Sequence, residues 1–248
     1  MISVAAVLQA RMNSTRLPEK SLLPLAGTPL IEHIINRLKV FADLDHIILA
    51  VPDSHSEILL IEKAKQLGIT VIKGPEEDVL KRFLIAANQV NAQHIVRVCG
   101  DDPLIDIQLM KSLIDTHLKQ DADYTITSDP IPLGTGTEVA RVNTLKQIAQ
   151  TTTAPKYREH VTTWFHDHPS TGVQPRVSAP AYLIGKPYRL TVDTENDLIL
   201  MGKIFGNFYT SSSSLLDLEQ VIRFLDTHPE IAQLNASVHQ KDWRSEIK

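Results

Sequence analysis

Three basic side chains lie close together near the start of the chain, in the segment QARMNSTRLPEKSLLPL (residues 9–25). They are Arg11, Arg16 and Lys20, with the hydroxyl residue Ser14 among them. Three cations in one loop repel one another unless an anion is near. Guanidinium groups and turn amides bind phosphate oxygens through charge-assisted hydrogen bonds. The segment therefore predicts a polyphosphate site, although a solvated basic loop could have the same composition.

The loop lacks the two common phosphate-binding signatures. The Walker pattern GxxxxGK[ST] is absent, and no GxGxxG follows the first apolar run. A P-loop and a dinucleotide fingerprint are therefore both excluded.

Carboxylates follow two other apolar runs. Asp101 and Asp102 come directly after VRVCG, and Asp193 comes after RLTV. Mg²⁺ prefers carboxylate and phosphate oxygens and usually takes one or two protein ligands. Asp101 and Asp193 are therefore predicted magnesium ligands. Two other roles stay open, an Asx-type turn for the first pair and a helix N-cap for Asp193.

Alternating strands and helices must position these side chains. Short apolar runs at residues 2–8, 46–51, 70–73 and 94–98 predict buried strands of a mostly parallel sheet. Helical patterns separate or follow them at residues 29–39, 56–67, 76–90 and 107–119. This order indicates an α/β fold, in which ligands bind beyond the carboxyl ends of the strands. The basic loop and the first carboxylates are thus expected at one edge of the sheet.

The second half of the chain has a less regular pattern. It predicts strands at 124–127, 174–178 and 188–192, a strand within DPIPLGTGTEVARV, and helices at 157–168, 195–208 and 216–227. The 157–168 segment carries His160, His166 and His168, but not the zinc-protease spacing. We predict one domain over residues 1–234 and a polar tail over 235–248, with Trp243 as its anchor.

Composition places the chain among ordinary globular proteins. Of 248 residues, 43% are hydrophobic and 22% charged, and the formal net charge of −4 argues against a nucleic-acid-binding surface. Cys99 is the single cysteine, so no internal disulfide can form. No apolar run approaches the ~20 residues needed to cross a membrane. We expect a soluble cytoplasmic protein.

Three segments together, QARMNSTRLPEKSLLPLAGTPLIEH, GDDP and VDTEND, resemble the sugar-activating cytidylyltransferases that make CMP-Kdo and CMP-sialic acids. The segments EEDVLKRFLIAA, PLGTGTEVARV and YREHVTTWFHDHP are most similar to the SpsF-type branch of spore-coat polysaccharide biosynthesis. The resemblance covers about residues 3–208. It implies a single-domain, three-layer α/β/α, Rossmann-like fold of the nucleotide-diphospho-sugar transferase type with a mostly parallel sheet.

The resemblance also implies roles for individual residues. Mg²⁺ would bind Asp101 and Asp193, and the catalytic groups would be Arg11, Arg16, Lys20 and Asp101. The residues implied to bind CTP are Gln9, Ala10, Arg11, Ser14, Arg16, Lys20 and Asp101. The residues implied to bind the acceptor are Asp102, Glu138, Arg158 and His160. Relatives dimerise, so a homodimer is expected.

This chain departs from the family pattern at two places. Glu19 replaces a glycine between Pro18 and Lys20, adding an anion beside the phosphate site and removing a residue that takes positive φ freely. Residues 134–137 read Gly-Thr-Gly-Thr where relatives carry Gly-Leu-Asp before the glutamate. The second departure leaves the acceptor open.

The expected reaction is Mg²⁺-dependent transfer of CMP from CTP to a sugar or sugar acid, with release of pyrophosphate, for surface polysaccharide or glycoconjugate biosynthesis. Two alternatives remain. One is a GT-A-type glycosyltransferase that uses a finished nucleotide sugar, with Asp101 and Asp102 as its metal motif. The other is a catalytically inactive nucleotide-binding homologue, which Glu19 would favour.

Overall fold

Four parallel strands form one side of the main sheet. The structure is a computed structural model that describes residues 2–211 and 215–240. The strands and helices of the first half are β1 (Val4–Gln9), β2 (Pro24–Leu25), β3 (Thr28–Pro29), α1 (Leu30–Lys39), β4 (His46–Pro52), α2 (Ile58–Gln66), β5 (Thr70–Gly74), α3 (Val79–Gln89), β6 (His94–Cys99) and α4 (Ile107–Lys119). Strands β5, β4, β1 and β6 are neighbours in that order and all parallel. The predicted parallel strands and their helices are confirmed.

The second half completes the sheet with mixed pairing. Its elements are β7 (Tyr124–Thr127), β8 (Glu138–Arg141), α5 (Val142–Thr151), α6 (Pro155–Glu159), α7 (Thr163–Asp167), β9 (Arg176–Val177), α8 (Glu195–Phe208), α9 (Leu218–Thr227) and α10 (Pro229–Ala232). The sheet has seven strands in the order β5-β4-β1-β6-β8-β7-β9. Strand β8 is antiparallel to both β6 and β7, and β9 is parallel to β7.

Both faces of the sheet are covered by helices. Along β1, Ala6 and Leu8 belong to a core shared with α1, α2, α4, α8 and α9, whereas Ala5 and Val7 face a core shared with α3, α5 and α7. Side chains alternate between the two faces of a strand, so β1 is apolar from Val4 to Leu8. The three-layer α/β/α architecture expected from the sequence is confirmed.

Three predicted elements of the second half differ from the structure in extent or pairing. The helix predicted at 157–168 is two short helices, α6 and α7, separated at His160, which has φ −107° and ψ 82°. The chain turns there because Val161 and Thr162 are drawn into the buried layer beneath. The strand predicted at 174–178 is only the two residues of β9.

The segment predicted as a strand at 188–192 is extended but pairs with loops. Its N–H groups donate to loop carbonyls, Leu190 to Leu133 at 2.7 Å and Val192 to Asp101 at 2.8 Å. It makes one isolated parallel bridge, between Leu133 and Arg189. Because Val192 is bonded to Asp101, the next residue, Asp193, lies beside the end of β6.

The end of the described chain packs against this same region. Asn235, the first residue of the predicted tail, is buried and donates to the Arg189 carbonyl at 3.0 Å and to Asp197 Oδ1 at 2.8 Å. The predicted anchor Trp243 lies outside the described residues. Among the described helices, none combines the length and apolarity that crossing a bilayer requires.

Candidate active site

The basic loop after β1 is fixed at its base by Met12. The Met12 carbonyl accepts hydrogen bonds from the Ser14 and Glu19 N–H groups at 2.9 and 3.0 Å. The Met12 N–H donates to both carboxylate oxygens of the buried Glu57, at 3.2 and 3.1 Å. The loop therefore has a defined path, from which the side chains of residues 13–16 extend outward.

Glu19 adopts the left-handed conformation itself, with φ 57° and ψ 18°. This conformation costs a non-glycine residue roughly 1–2 kcal/mol. Its side chain is exposed, and a single 3₁₀ turn over Lys20–Leu22 follows it. Glutamate at position 19 therefore leaves the loop able to make the turn that orients Lys20.

Lys20 lies between the two predicted metal carboxylates. Its Nζ donates to Asp101 Oδ2 at 2.7 Å and to Asp193 Oδ1 at 2.9 Å, and its side chain is only 12% exposed. Burial would lower the pKa of Lys20, but Asp101 and Asp193 raise it above its usual value. The ammonium is therefore charged at neutral pH. Residues 20, 101 and 193 are far apart in sequence, and the structure brings them together.

Asp193 is in contact with three cations. Arg16 Nη2 lies 3.0 Å from Oδ1, which Lys20 also binds, and Arg189 Nη2 lies 2.6 Å from Oδ2. Burial would raise the pKa of Asp193, but Lys20, Arg16 and Arg189 hold it below its usual range. We call Arg16, Lys20, Asp101, Arg189 and Asp193 the Lys20 cluster.

The start of α8 fixes Asp193 without using its side chain. Thr194 is the N-cap and forms a capping box with Asp197. Asp197 Oδ2 accepts the backbone N–H groups of Asp193 and Thr194 at 3.0 and 2.9 Å, and Asp197 Oδ1 accepts Arg189 Nε at 2.9 Å. The capping role considered for Asp193 thus belongs to Thr194, and the Asp193 carboxylate faces the basic loop.

The turn after β6 brings Asp101 and Asp102 against the end of β1. The Gly100 N–H donates to the Gln9 carbonyl at 2.7 Å, and a Cβ on Gly100 would stand 2.6 Å from the Ala10 Cβ. Only glycine allows this approach without a shift of the backbone. Gln9 and Ala10, both predicted to bind nucleotide, therefore line the same edge as the carboxylates.

Cys99, Asp101 and Asp102 form a compact group, with one potential ligand atom from each within 4.8 Å of the others. Burial, followed by the neighbouring Asp101 charge, raises the pKa of Asp102 to about 8. Carboxylate oxygens suit a hard cation such as Mg²⁺, whereas a thiol does not. The oxygen donors of Asp101 and Asp102 therefore fit magnesium, and the Cys99 sulfur has no part in that fit. The Asp193 carboxylate lies on the other side of the Lys20 ammonium.

Arg11 is exposed and lies near a buried arginine that sequence reasoning missed. Burial and then Arg11 lower the pKa of Arg82. Arg82 Nη1 donates to the Pro75 and Glu76 carbonyls at 2.5 and 2.7 Å, while its buried Nε has no hydrogen-bond partner among the described residues. The Arg82 guanidinium is thus a further positive group close to Arg11 of the basic loop.

Glu138 lies in a separate polar group, which we call the Glu138 cluster and which consists of Arg97, Tyr124, Glu138, Thr162 and His166. Arg97 and Glu138 are direct cross-strand partners in β6 and β8. Burial would raise the pKa of Glu138, but His166, Arg97, Tyr124 and Thr162 lower it well below its usual range. Glu138 is therefore a fully ionised carboxylate.

The other predicted acceptor residues lie on or beside α6. Arg158 Nη1 is 3.4 Å from Asp78 Oδ2 at the start of α3, and its Nη2 donates to the Ala149 carbonyl at 2.5 Å. His160 occupies the break between α6 and α7, where its N–H donates to the Lys156 carbonyl at 3.1 Å. The hydrogen bonds of Arg158 thus attach α6 to α3 and α5.

Sequence reasoning also missed Arg189, Asp197 and Arg97. A usable signal was a charged residue inside an otherwise apolar run, as in YRLTV and HIVRV. Burying such a charge requires a partner, so each arginine indicated a nearby carboxylate that the pattern alone could not name.

Comparison with known proteins identifies relatives of this chain by sequence and by structure. The sequence model of the family described as cytidylyltransferase matches residues 5–242. The spore coat polysaccharide biosynthesis protein SpsF of Bacillus subtilis is 34% identical over 202 residues, which is 79% of this chain and 84% of that protein. A cytidylyltransferase structure from Leptospira borgpetersenii superposes with a TM-score of 0.88 at 25% identity, covering 97% of this chain and 100% of that one.

A more distant structure shares the fold. It is a CMP:2-keto-3-deoxy-manno-octonic acid synthetase in complex with CTP, with a TM-score of 0.62 and 18% identity over 83% of this chain and 99% of that one. The family match spans nearly the whole chain, and the basic loop meets the strand-end carboxylates. The chain therefore belongs to the cytidylyltransferase family and is a nucleotidyltransferase.

Proposed function

We propose that this protein transfers CMP from CTP to a sugar or sugar acid with Mg²⁺, releasing pyrophosphate, in the synthesis of a surface polysaccharide or glycoconjugate. The observation that carries the proposal is Lys20, held between Asp101 and Asp193 beside Arg16. The structural neighbour in complex with CTP has the same fold and supports cytidine as the base.

The basic residues would bind the triphosphate. Lys20 and Arg16 hold the β- and γ-phosphate oxygens, and Arg11 lies toward the α-phosphate. In the structure Lys20 and Arg16 bind carboxylate oxygens, and charge-assisted hydrogen bonds of the same geometry suit phosphate oxygens. A triphosphate is thus the natural counter-ion for this loop.

Asp101 and Asp193 would hold the metal ion, with Asp102 behind them. When bound, Mg²⁺ neutralises charge on the phosphate oxygens and helps to orient the reacting groups. The backbone around Asp193 is fixed by hydrogen bonds to Asp197 and by the hydrogen bond from the Val192 N–H to the Asp101 carbonyl. The positions of Asp101 and Asp193 relative to each other are therefore fixed.

The chemistry is one in-line displacement at the α-phosphorus. An acceptor hydroxyl forms the new oxygen–phosphorus bond and loses its proton, while the bond to the β-phosphate oxygen breaks and pyrophosphate leaves. No covalent enzyme intermediate is needed. The protein contributes by positioning both substrates and by placing Lys20 and Arg16 where negative charge develops on the leaving group.

A pyrophosphate-release screen tests the proposal. The four nucleoside triphosphates are each combined with Mg²⁺ and a panel of sugar acids, sugar phosphates and neutral sugars. We expect release with CTP and an acceptor together, and a CMP-sugar product by mass spectrometry. Transfer of sugar from a preformed nucleotide sugar, without pyrophosphate, would instead identify a glycosyltransferase. Absence of both reactions, even with CTP bound, would identify an inactive homologue.

We further propose that the protein acts as a homodimer, as resemblance to dimeric relatives implies. Sedimentation equilibrium should give twice the mass of one chain, and a concentration-independent monomer would contradict it.

A further inference from the structure

The Glu138 carboxylate has no capacity left for a substrate. Oε2 accepts from Arg97 Nη1 at 2.9 Å and from Thr162 Oγ1 at 2.7 Å. Oε1 accepts from the Tyr124 hydroxyl at 2.5 Å and lies 3.6 Å from His166 Nε2. The side chain is 13% exposed. A carboxylate with four protein partners cannot exchange them for sugar hydroxyls without leaving buried groups unsatisfied.

Arg97 is in the opposite situation. A guanidinium has five N–H donors, and among the described residues Glu138 is its single hydrogen-bond partner. Its Nε is buried without a partner, although 22% of the side chain remains exposed. The pair thus has a saturated acceptor and a donor with capacity to spare.

Arg97 also faces the region where the reaction is proposed to occur. Arg97 and Cys99 are two residues apart on β6, so their side chains lie on the same face, about 7 Å apart along the strand. Cys99 in turn belongs to the compact group with Asp101 and Asp102. Arg97 therefore lies one side-chain position further along β6 from the carboxylates that follow this strand.

We propose, on the basis of the cytidylyltransferase function above, that Arg97 binds an anionic group of the acceptor, a carboxylate or a phosphate monoester, and that Glu138 positions its guanidinium. Glu138 then acts through Arg97 and does not touch the acceptor. The Arg97–Glu138 pair fixes one side of the guanidinium and leaves its remaining N–H donors for the acceptor. This pair determines acceptor specificity.

The test compares Arg97→Gln and Arg97→Lys with the unsubstituted enzyme on matched acceptors. Each set contains a sugar acid, its neutral carboxamide and the corresponding sugar phosphate, with CTP saturating. Charged hydrogen bonds contribute about 1.5–3 kcal/mol, so Arg97→Gln should raise KM for the anionic acceptor roughly 10- to 100-fold. The dissociation constant of Arg97→Gln for CTP, measured by calorimetry, should differ less than twofold from that of the unsubstituted enzyme. Arg97→Lys keeps the charge without the planar fork. Its KM for the anionic acceptor should lie between the values of the unsubstituted enzyme and of Arg97→Gln.

A second variant guards against simple loss of folding. Arg97→Gln leaves Glu138 ionised beneath it, so the double variant Arg97→Gln/Glu138→Gln removes both charges. If this double variant has a normal melting temperature and the same raised KM for anionic acceptors, the effect is one of recognition. A purely structural pair would change stability and leave the KM values alone.

The possible outcomes separate this inference from the function on which it rests. If the unsubstituted enzyme transfers CMP to anionic acceptors and Arg97→Gln keeps its KM, the inference is overturned and the function stands. If the unsubstituted enzyme prefers the neutral carboxamide to the anionic acceptors, the inference is likewise overturned and the function stands. If the unsubstituted enzyme neither binds CTP nor releases pyrophosphate with any acceptor, both are overturned. The acceptor whose KM rises more in Arg97→Gln, the sugar acid or the sugar phosphate, identifies the anion that Arg97 binds.

Discussion

Two charged clusters lie near one edge of the sheet and use charge differently. In the Lys20 cluster three cations share two carboxylates, and Arg16 and Lys20 compete for the same oxygen of Asp193. In the Glu138 cluster one carboxylate is surrounded by four protein groups. The first arrangement can exchange a carboxylate for a phosphate with little loss. In the second arrangement the Glu138 carboxylate cannot exchange its protein partners for a ligand, and it therefore serves to hold an arginine in place.

The largest expected effect is on turnover, from Lys20→Ala. Removal of one preorganised charged donor typically raises the barrier by about 3–4 kcal/mol, so kcat should fall roughly 10²- to 10³-fold. Steady-state pyrophosphate release measures it. The control is Lys111→Ala, which removes a lysine with two carboxylate partners that is 54% exposed on α4. Lysine 20 has no catalytic role if both variants turn over like the parent.

The next effect is on stability, from Glu138→Gln. Removing one partner of a buried ion pair leaves the other charge uncompensated, and we expect a loss of roughly 3 kcal/mol in the free energy of unfolding. Urea denaturation at pH 7 measures this loss. As a control, Asp121→Asn alters an exposed carboxylate paired with Arg141 and should leave the midpoint unchanged. Equal midpoints for Glu138→Gln and the parent would show that the Glu138 cluster does not support the fold.

A third region, an uncharged pair at the opposite end of β6, sharpens the contrast. His94 Nδ1 lies 2.9 Å from His117 Nε2, and His117 Nδ1 lies 2.8 Å from Thr125 Oγ1. Burial and then His94 lower the pKa of His117 to about 3. The stability from the neutral imidazole is therefore complete above pH 6.5 and is lost as pH falls toward 3, because the unfolded chain then binds the extra proton.

We expect His117 alone to lower the free energy of unfolding by about 2.5 kcal/mol between pH 7 and pH 4.5. Asp102, with its raised pKa, changes stability in the opposite direction over this range, so the test is a difference between two proteins. His117→Gln should be less stable than the parent at pH 7, and the gap between their melting temperatures should narrow toward pH 4.5. A gap that stays constant with pH would mean that His117 titrates normally.

The smallest effect is expected from Glu19→Gly. Glycine removes the left-handed strain at φ 57° but increases the freedom of the unfolded chain, so stability should change by less than about 1 kcal/mol. Loss of an exposed anion near the triphosphate should strengthen CTP binding by about twofold, as measured by calorimetry. A gain of tenfold or more would mean that Glu19 itself restrains nucleotide binding.

Local patterns were enough to predict the first half of the chain. Strands β1 and β4 are largely apolar on both faces, and the basic loop and Asp101 follow strands directly, so position along the chain determined position in space. The extended segment before Asp193 could not be placed in this way. It pairs with loops near Leu133 and Asp101, and no periodicity records such contacts.

The partners of the predicted residues were harder to foresee than the residues themselves. Arg189 contacts Asp193 only because α8 begins with a capping box that turns Asp197 toward it. Similarly, the break between α6 and α7 depends on Thr162 reaching Glu138 on a distant strand. These are tertiary contacts, and they override the helical pattern of residues 157–168.

Binding of Mn²⁺, a substitute for Mg²⁺, to the nucleotide-free protein tests the central claim most directly. Electron paramagnetic resonance reports free Mn²⁺, so the bound fraction can be titrated for the parent, Asp101→Asn and Asp193→Asn, with the exposed-site variant Asp115→Asn as control. We expect the parent and Asp115→Asn to bind one ion alike, and each of the other two variants to bind at least tenfold more weakly. If Asp101→Asn and Asp193→Asn both bind Mn²⁺ as tightly as the parent, the carboxylates beside Lys20 do not form the metal site.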